Sequence, residues 1–172
     1  PRKPWDKTRI VAERELSDKY GLSAKKEIWV TKTALRKKRI SARKLLAAKT
    51  EQMETGKNEL VQSLARLGVL SADANLDDVL ALSINDFLER RLQTLVFRKG
   101  LANTMKQARQ FIVHGWIEIG DRRVRSPGCL IQKDQEEEIR YHKGIKPKVL
   151  DAKLEVPELQ KLQKEAAHED TP

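Results

Sequence analysis

A single cysteine, Cys129, stands in a chain of 172 residues. One thiol excludes an internal disulfide and fits a reducing compartment. With only 3 histidines scattered beside it, no His/Cys cluster has the spacing of a metal site. Aromatic residues make up 5% of the composition, enough to anchor small cores but not a large one. No apolar run approaches the length of a membrane span, and no signal-peptide pattern opens the chain, so a cytoplasmic protein is expected. A Gly-rich cofactor loop and a nucleophile beside a base are both missing. No catalytic residue, cofactor or metal is therefore expected, and the chain does not read as an enzyme.

Charge is what the chain has in quantity. Charged residues are 35% of it against 39% hydrophobic, with a net charge of +10 and a pI near 9.8. Such a balance favours a polyanionic partner, nucleic acid first and an anionic membrane surface second. The charge is also blocked. Residues 1–50 hold 16 Lys/Arg against 5 Asp/Glu, residues 51–88 hold 2 against 7, residues 89–148 hold 14 against 7, and the remainder holds 3 against 6. Two basic blocks separated by an acidic segment predict separate contact surfaces.

The first block opens extended at Pro1 and Pro4, then Ile10, Leu16 and Tyr20 predict a helix stopped at Gly21. A longer helix is predicted around "KTALRKKRISARKLLAAK", with a seam at Leu35, Ala42 and Leu46. Around that seam stand Arg36, Lys37, Lys38, Arg39, Arg43 and Lys44, 6 basic residues in 9 with no acid among them. Like charges so close repel one another unless an anion neutralises them, so phosphate contact is expected. Docking on a membrane surface requires more apolar bulk than Leu35, Leu45 and Leu46 supply. In the acidic segment, Leu60, Leu64 and Leu67 are spaced for burial, with Gly68 as a stop and the acids available for capping or pairing.

From Leu88 to His142 a compact α+β unit is expected. Ser83 and Asp86 form a capping box ahead of a stripe at Leu88, Leu92, Leu95 and Val96, ended by Gly100. Thr104 and Gln107 open a second helix, closed by Gly115. Its apolar stripe is Met105, Ala108, Phe111 and Ile112; its polar face is Lys106, Arg109, Gln110 and His114, with no acid between Asn103 and Trp116. "WIEIG" and "EEIRYH" alternate as strands, Gly120-Asp121 is a turn, and "RRVRSPGCLI" is extended with a break at Ser126-Pro127-Gly128. A groove between helix and hairpin, rimmed by the helix face with Arg91, Arg98, Arg122, Arg123 and Arg125, would suit RNA phosphates. Single-strand readout needs exposed aromatic platforms, whereas Trp116, Tyr141 and Phe97 read as core. For His114, RNA contact and a bond to a helix-end carbonyl both remain open, and Arg125 has the option of turning to the opposite face of its strand. Cys129 reads as a small core residue, and the acidic run Asp134 to Glu138 as a solvated loop. The fold class is thus α+β: a basic, mainly helical region over 1–88, a compact module over 89–148 and an acidic tail over 149–172. That tail forms a short helix after Pro157 or lies along a partner.

The stretch "RRLQTLVFRKGLANTMKQARQFIVHGWIEIGDRRVRSPGCLI" resembles the S-four RNA-binding domain. The likeness is carried by Arg91-Leu92, Gly100-Leu101-Ala102, Ala108-Arg109-Gln110 with Ile112, His114-Gly115, and Ile117 and Ile119 before the turn. The chain differs from the usual pattern at Met105, Trp116 and the Gly120-Asp121 turn, so no RNA contact is carried over to Met105. Its flanks, "PRKPWDKTRI", "YGLSAKKEIW", "LRKKRISARKLLA" and "LDDVLALSINDFLERRLQT", are similar to the archaeal and eukaryotic type of small-subunit ribosomal protein S-four, over roughly residues 1–145. The resemblance implies two helices packed on a short-stranded sheet. It also implies a structural constituent of the small ribosomal subunit that binds rRNA early at a multi-helix junction in the 5′ region, near the mRNA entrance and with an influence on decoding. The partners it implies are small-subunit rRNA, neighbouring small-subunit proteins and mRNA at the entrance. Some bacterial members of the family hold zinc through N-terminal cysteines, and this chain has none there. An RNA-binding targeting module of an RNA-modifying or ribosome quality-control factor is the alternative, because the same domain occurs in such proteins.

Overall fold

The computed structural model describes residues 4–47, 50–71 and 73–143. Pro1, Lys49 and the acidic tail with Pro157 lie outside the described residues. Helix α1 spans Lys7–Lys19 and starts where the Asp6 side chain accepts from the Arg9 N–H. It ends at Tyr20 and Gly21, whose φ of 58° turns the chain back. Helix α2 spans Lys25–Leu46, about two turns longer at its start than the charge run predicts. The missed signal is Ile28, which continues the seam of Leu35 and Ala42 at intervals of seven. At the other end the seam drifts: Leu46 is exposed and Leu45 packs instead against Gly56. An added Cβ on Gly56 would stand 2.5 Å from Leu45 Cδ2, so glycine here sets how closely the next helix approaches.

That helix, α3, spans Thr50–Arg66, and α4 (Leu76–Ala81) and α5 (Ile84–Glu89) follow. Both short helices open with capping boxes, Asn75 with Asp78 and Ser83 with Asp86, so two acids of the acidic segment satisfy orphan N–H groups. Leu35, Ala42, Leu60, Leu64, Leu76, Val79, Leu82 and Phe87 form one core, while Leu67 is only half-buried. Between α1 and α2 sits a buried acid, Glu13, 1% exposed. It accepts from Arg9 (2.9 Å) and Trp29 Nε1 (3.0 Å) and lies 3.5 Å from Lys32 Nζ. Burial pushes its carboxyl up, but these partners outweigh that and hold it below its ordinary value.

The predicted stripe from Leu88 to Val96 is two helices rather than one, α5 and α6 (Leu92–Arg98). The break at Arg90-Arg91 has a tertiary cause. Leu92 N–H donates to Cys129 O at 2.8 Å and Ile131 N–H to Arg90 O at 3.1 Å, so the later loop pairs with backbone that would otherwise continue the helix. Helix α7 spans Met105–Val113, with the Thr104 hydroxyl accepting from the Gln107 N–H. Strands β1 (Ile117–Ile119), β2 (Arg122–Arg123) and β3 (Ile139–Tyr141) form an antiparallel sheet in the order β2-β1-β3. Glycines 100, 115 and 120 all have positive φ and serve as helix stops and a turn, as predicted. Leu92, Leu95, Val96, Ala108, Phe111, Ile112, Ile117, Ile131 and Ile139 make a second core, with Trp116 stacked on Phe111 at 5.0 Å and Cys129 half-buried against it. Two helices on a short-stranded sheet, with helices before them, give the α+β class that the sequence predicts.

A small third cluster, Tyr20, Leu22, Ile28 and Leu88, with Met105 against it, joins the N-terminal helices to this module. Through it runs Gln93, buried, whose Nε2 donates to Gly21 O and Met105 O at 2.9 Å each and lies 3.3 Å from Tyr20 O. Carbonyls from both parts of the chain thus meet one side-chain amide.

Candidate nucleic-acid interface

Helical periodicity sorts the cations of α2. Arg36, Lys37, Arg43 and Lys44 are exposed and have no carboxylate partner among the described residues. Lys38 and Arg39 are half-buried: Lys38 Nζ lies 3.3 Å from Ser63 Oγ, and Arg39 donates to Leu82 O at the end of α4. Positions 38 and 39 fall three and four residues after Leu35, on the seam side, which explains why these two turn toward protein.

On α7, Lys106, Gln110 and His114 are exposed along one face. Arg109 is half-buried, its Nη1 standing 3.1 Å from Glu27 Oε1 on α2. Arg91 differs from the sequence expectation of a rim residue. It is 4% exposed and ion-paired with the same Glu27, because the break between α5 and α6 turns it inward. Ser23 Oγ also donates to Glu27, at 2.9 Å. Burial pushes the Glu27 carboxyl up, but the bonds from Arg91 and Ser23 and the charges of Arg91 and Arg109 outweigh it, so it lies below its ordinary value of 4.5. A carboxyl depressed on folding adds stability above its unfolded pKa, and this is lost as pH falls through the folded value. Thermal melts from neutrality down to about pH 3 should therefore fall more steeply below about pH 4.5 for the native chain than for Glu27→Gln. Parallel profiles would show that the pair contributes nothing.

Arg122 and Arg123 are exposed on β2, paired in register with Ile119 and Glu118. Arg125 is exposed and lies over the end of α7: a Cβ on Gly115 would stand 3.2 Å from Arg125 Nε. Arg98 is exposed but ion-paired with Glu89. Glu118 on β1 is buried, with Arg140 Nε and His142 Nδ1 each 2.7 Å away. Hydrogen bonds with His142 and then Arg140 hold its carboxyl low. The acidic run forms a turn of 3-10 helix, Asp134–Glu136, in which Glu136 meets Arg90 at 2.7 Å.

The structure thus sets Lys106, Gln110 and His114 along one side of α7 with Arg125 over its C-terminal end, and fastens α7 to the start of α2 through Arg109 and Glu27. Sequence reasoning missed Lys26, Glu27, Trp29 and Val30, all on the unpredicted first turns of α2; the seven-residue step back from Leu35 to Ile28 was the available signal. Among the described residues no group of 3 or more His, Cys, Asp or Glu is placed to hold a metal ion, and no helix is long and apolar enough to cross a membrane.

Two helices on a three-stranded sheet, one helix face cationic and the adjoining hairpin carrying arginines, define a module built for polyanions. The family model of the S4 domain matches residues 90–136. Over 142 residues the chain is 54% identical to the small ribosomal subunit protein uS4 of Methanococcus aeolicus, covering 82% of this chain and 80% of that one. Identity to the protein of the same name from Hyperthermus butylicus is 50% over 141 residues, 82% of this chain and 80% of that one. For Methanospirillum hungatei it is 47% over 156 residues, 88% and 86% of the two chains. The chain belongs to the uS4 family of small ribosomal subunit proteins, and the likeness carried by Ala108-Arg109-Gln110 and His114-Gly115 is borne out.

Proposed function

We propose that the chain is a non-catalytic constituent of the small subunit of the cytoplasmic ribosome that binds small-subunit rRNA directly. The observation that carries this reading is the exposed cation set Arg36, Lys37, Arg43 and Lys44, on one helix and without carboxylate partners among the described residues. Phosphates would neutralise those cations, and Lys106, Gln110, His114, Arg122, Arg123 and Arg125 would supply a second contact surface. Within this reading, residues 1–88 and 89–148 act as two rRNA-binding units. Binding occurs early in assembly at a multi-helix junction in the 5′ region, close to the mRNA entrance, beside neighbouring small-subunit proteins and with an influence on decoding.

Ultraviolet crosslinking in cells, with sequencing of attached RNA and mapping of attached peptides, tests it. Reads should concentrate in the 5′ part of small-subunit rRNA, with peptides from 33–49 and 103–125. Reads dominated by tRNA or large-subunit rRNA would replace this reading with that of a modification or quality-control factor.

A further inference from the structure

The first turns of α2 carry apolar groups that neither core uses. Val30 is 60% exposed, and Trp29 and Leu130 are each 38% exposed, on a surface otherwise rich in cations. Val30 forms a ridge between two concavities. On one side lies a cleft of about 470 Å³, walled by Thr31 and Ala34 of α2 and by Pro127 and Leu130 opposite, with Phe87 at its floor. On the other lies a shallower hollow of about 360 Å³ between Trp29, Thr33 and Lys37. Lys26, Val30 and Ala34 line both, so the two adjoin across this ridge and together make a grooved face on α2.

The occupant must have flat apolar faces and carry negative charge between them. Lys26 and Arg109 border the cleft, and Lys37 borders the hollow. Glu27, the one carboxylate lining the cleft, is shared by two guanidiniums, Arg91 and Arg109, so the floor remains net positive. A protein helix laid in the groove would need an acidic border to match these cations. Paired RNA hides its base faces in the stack, whereas an unpaired strand presents both bases and phosphates. Trp29 is suited to stacking because the bond from its Nε1 to Glu13 fixes the indole, while its ring lines the hollow.

We propose that this groove seats an unpaired segment of RNA. One base lies against Val30 and Leu130 in the cleft, the next stacks on Trp29, and the phosphate between them is held at Lys26, with Arg109 and Lys37 on either side. The proposal rests on the rRNA reading and deepens it, adding a seat for bases to surfaces that otherwise meet only backbone.

Methyl and indole NMR on the full chain tests it, with a short unpaired oligoadenylate and an RNA duplex of equal charge as probes. The oligoadenylate should shift the Val30 and Leu130 methyls and the Trp29 indole, and the duplex should leave them in place. Val30→Gln should weaken the unpaired strand by roughly tenfold with duplex affinity unchanged, and Val30→Leu should restore it. If these signals stay still while a 5′ fragment of small-subunit rRNA still binds, RNA does not enter the groove; the proposal is overturned and the rRNA reading stands. If neither the probes nor the rRNA fragment binds, both fall.

Discussion

Replacing Arg36, Lys37, Arg43 and Lys44 together by glutamine is expected to weaken rRNA binding by about a thousandfold at about 0.15 M salt, and to lower the slope of log affinity against log salt by about three. Each cation that meets a phosphate releases most of one counterion, so four lost contacts remove close to three ions. The fold should persist. All four side chains are exposed, and the buried residues of α2, Ile28, Leu35 and Ala42, are untouched. Glutamine is a good helix former, and removing neighbouring like charges relieves repulsion along α2. Filter binding across a salt series, with circular dichroism as the control on folding, measures both quantities. An unchanged slope would mean that this helix face meets solvent in the complex. The corresponding substitution of Lys38 and Arg39 should act on stability instead, because these two reach Ser63 and Leu82.

Gly21→Ala should be the most damaging conservative change at the junction of the two parts. Its φ of 58° costs an L-residue roughly 1–2 kcal/mol. Its Cβ would also stand 2.7 Å from Met105 Cβ, 3.0 Å from Gln93 Nε2 and 3.2 Å from the Met105 carbonyl carbon. Backbone is among those neighbours, so the clash is relieved only by moving the α1–α2 turn off the start of α7, at about 1–3 kcal/mol. The sum, about 2–5 kcal/mol, corresponds to a melting temperature lower by roughly 5–15 °C. Gly100→Ala is the internal control. Gly100 has a φ of 71° but nothing within 4 Å of an added Cβ, so it carries the backbone cost alone. Equal losses at the two positions would show that the close approach at Gly21 contributes nothing.

Local chemistry explains what the sequence revealed. Thr104 with Gln107, Ser83 with Asp86, the stripe of Ala108, Phe111 and Ile112, and the turn glycines are signals spanning a few residues, and each element they predict is present. What local chemistry does not show is set by distant partners. The break between α5 and α6 is imposed by backbone at Cys129 and Ile131. Arg91 and Arg109 turn to Glu27 across 64 and 82 residues of chain, and Arg39 reaches Leu82 across 43. An arginine that meets a phosphate and one that meets a remote carboxylate look alike in sequence, because both need only a cation on a helix. The exposed Trp29 was hidden for another reason: the helix that displays it begins with "KKEIW", where charge obscures the seam that Ile28 starts.

The two fastenings between the N-terminal helices and the sheet-bearing module differ in kind. Glu27 grips Arg91 and Arg109 by charge, so acid protonates it and salt screens its more exposed half. Gln93 holds Gly21 and Met105 by a buried neutral amide, which neither acid nor salt can discharge. One behaves as a latch and the other as a pin. Conditions that open the latch leave the pin in place, so the turn before α2 stays joined to the start of α7 while Glu27 lets go.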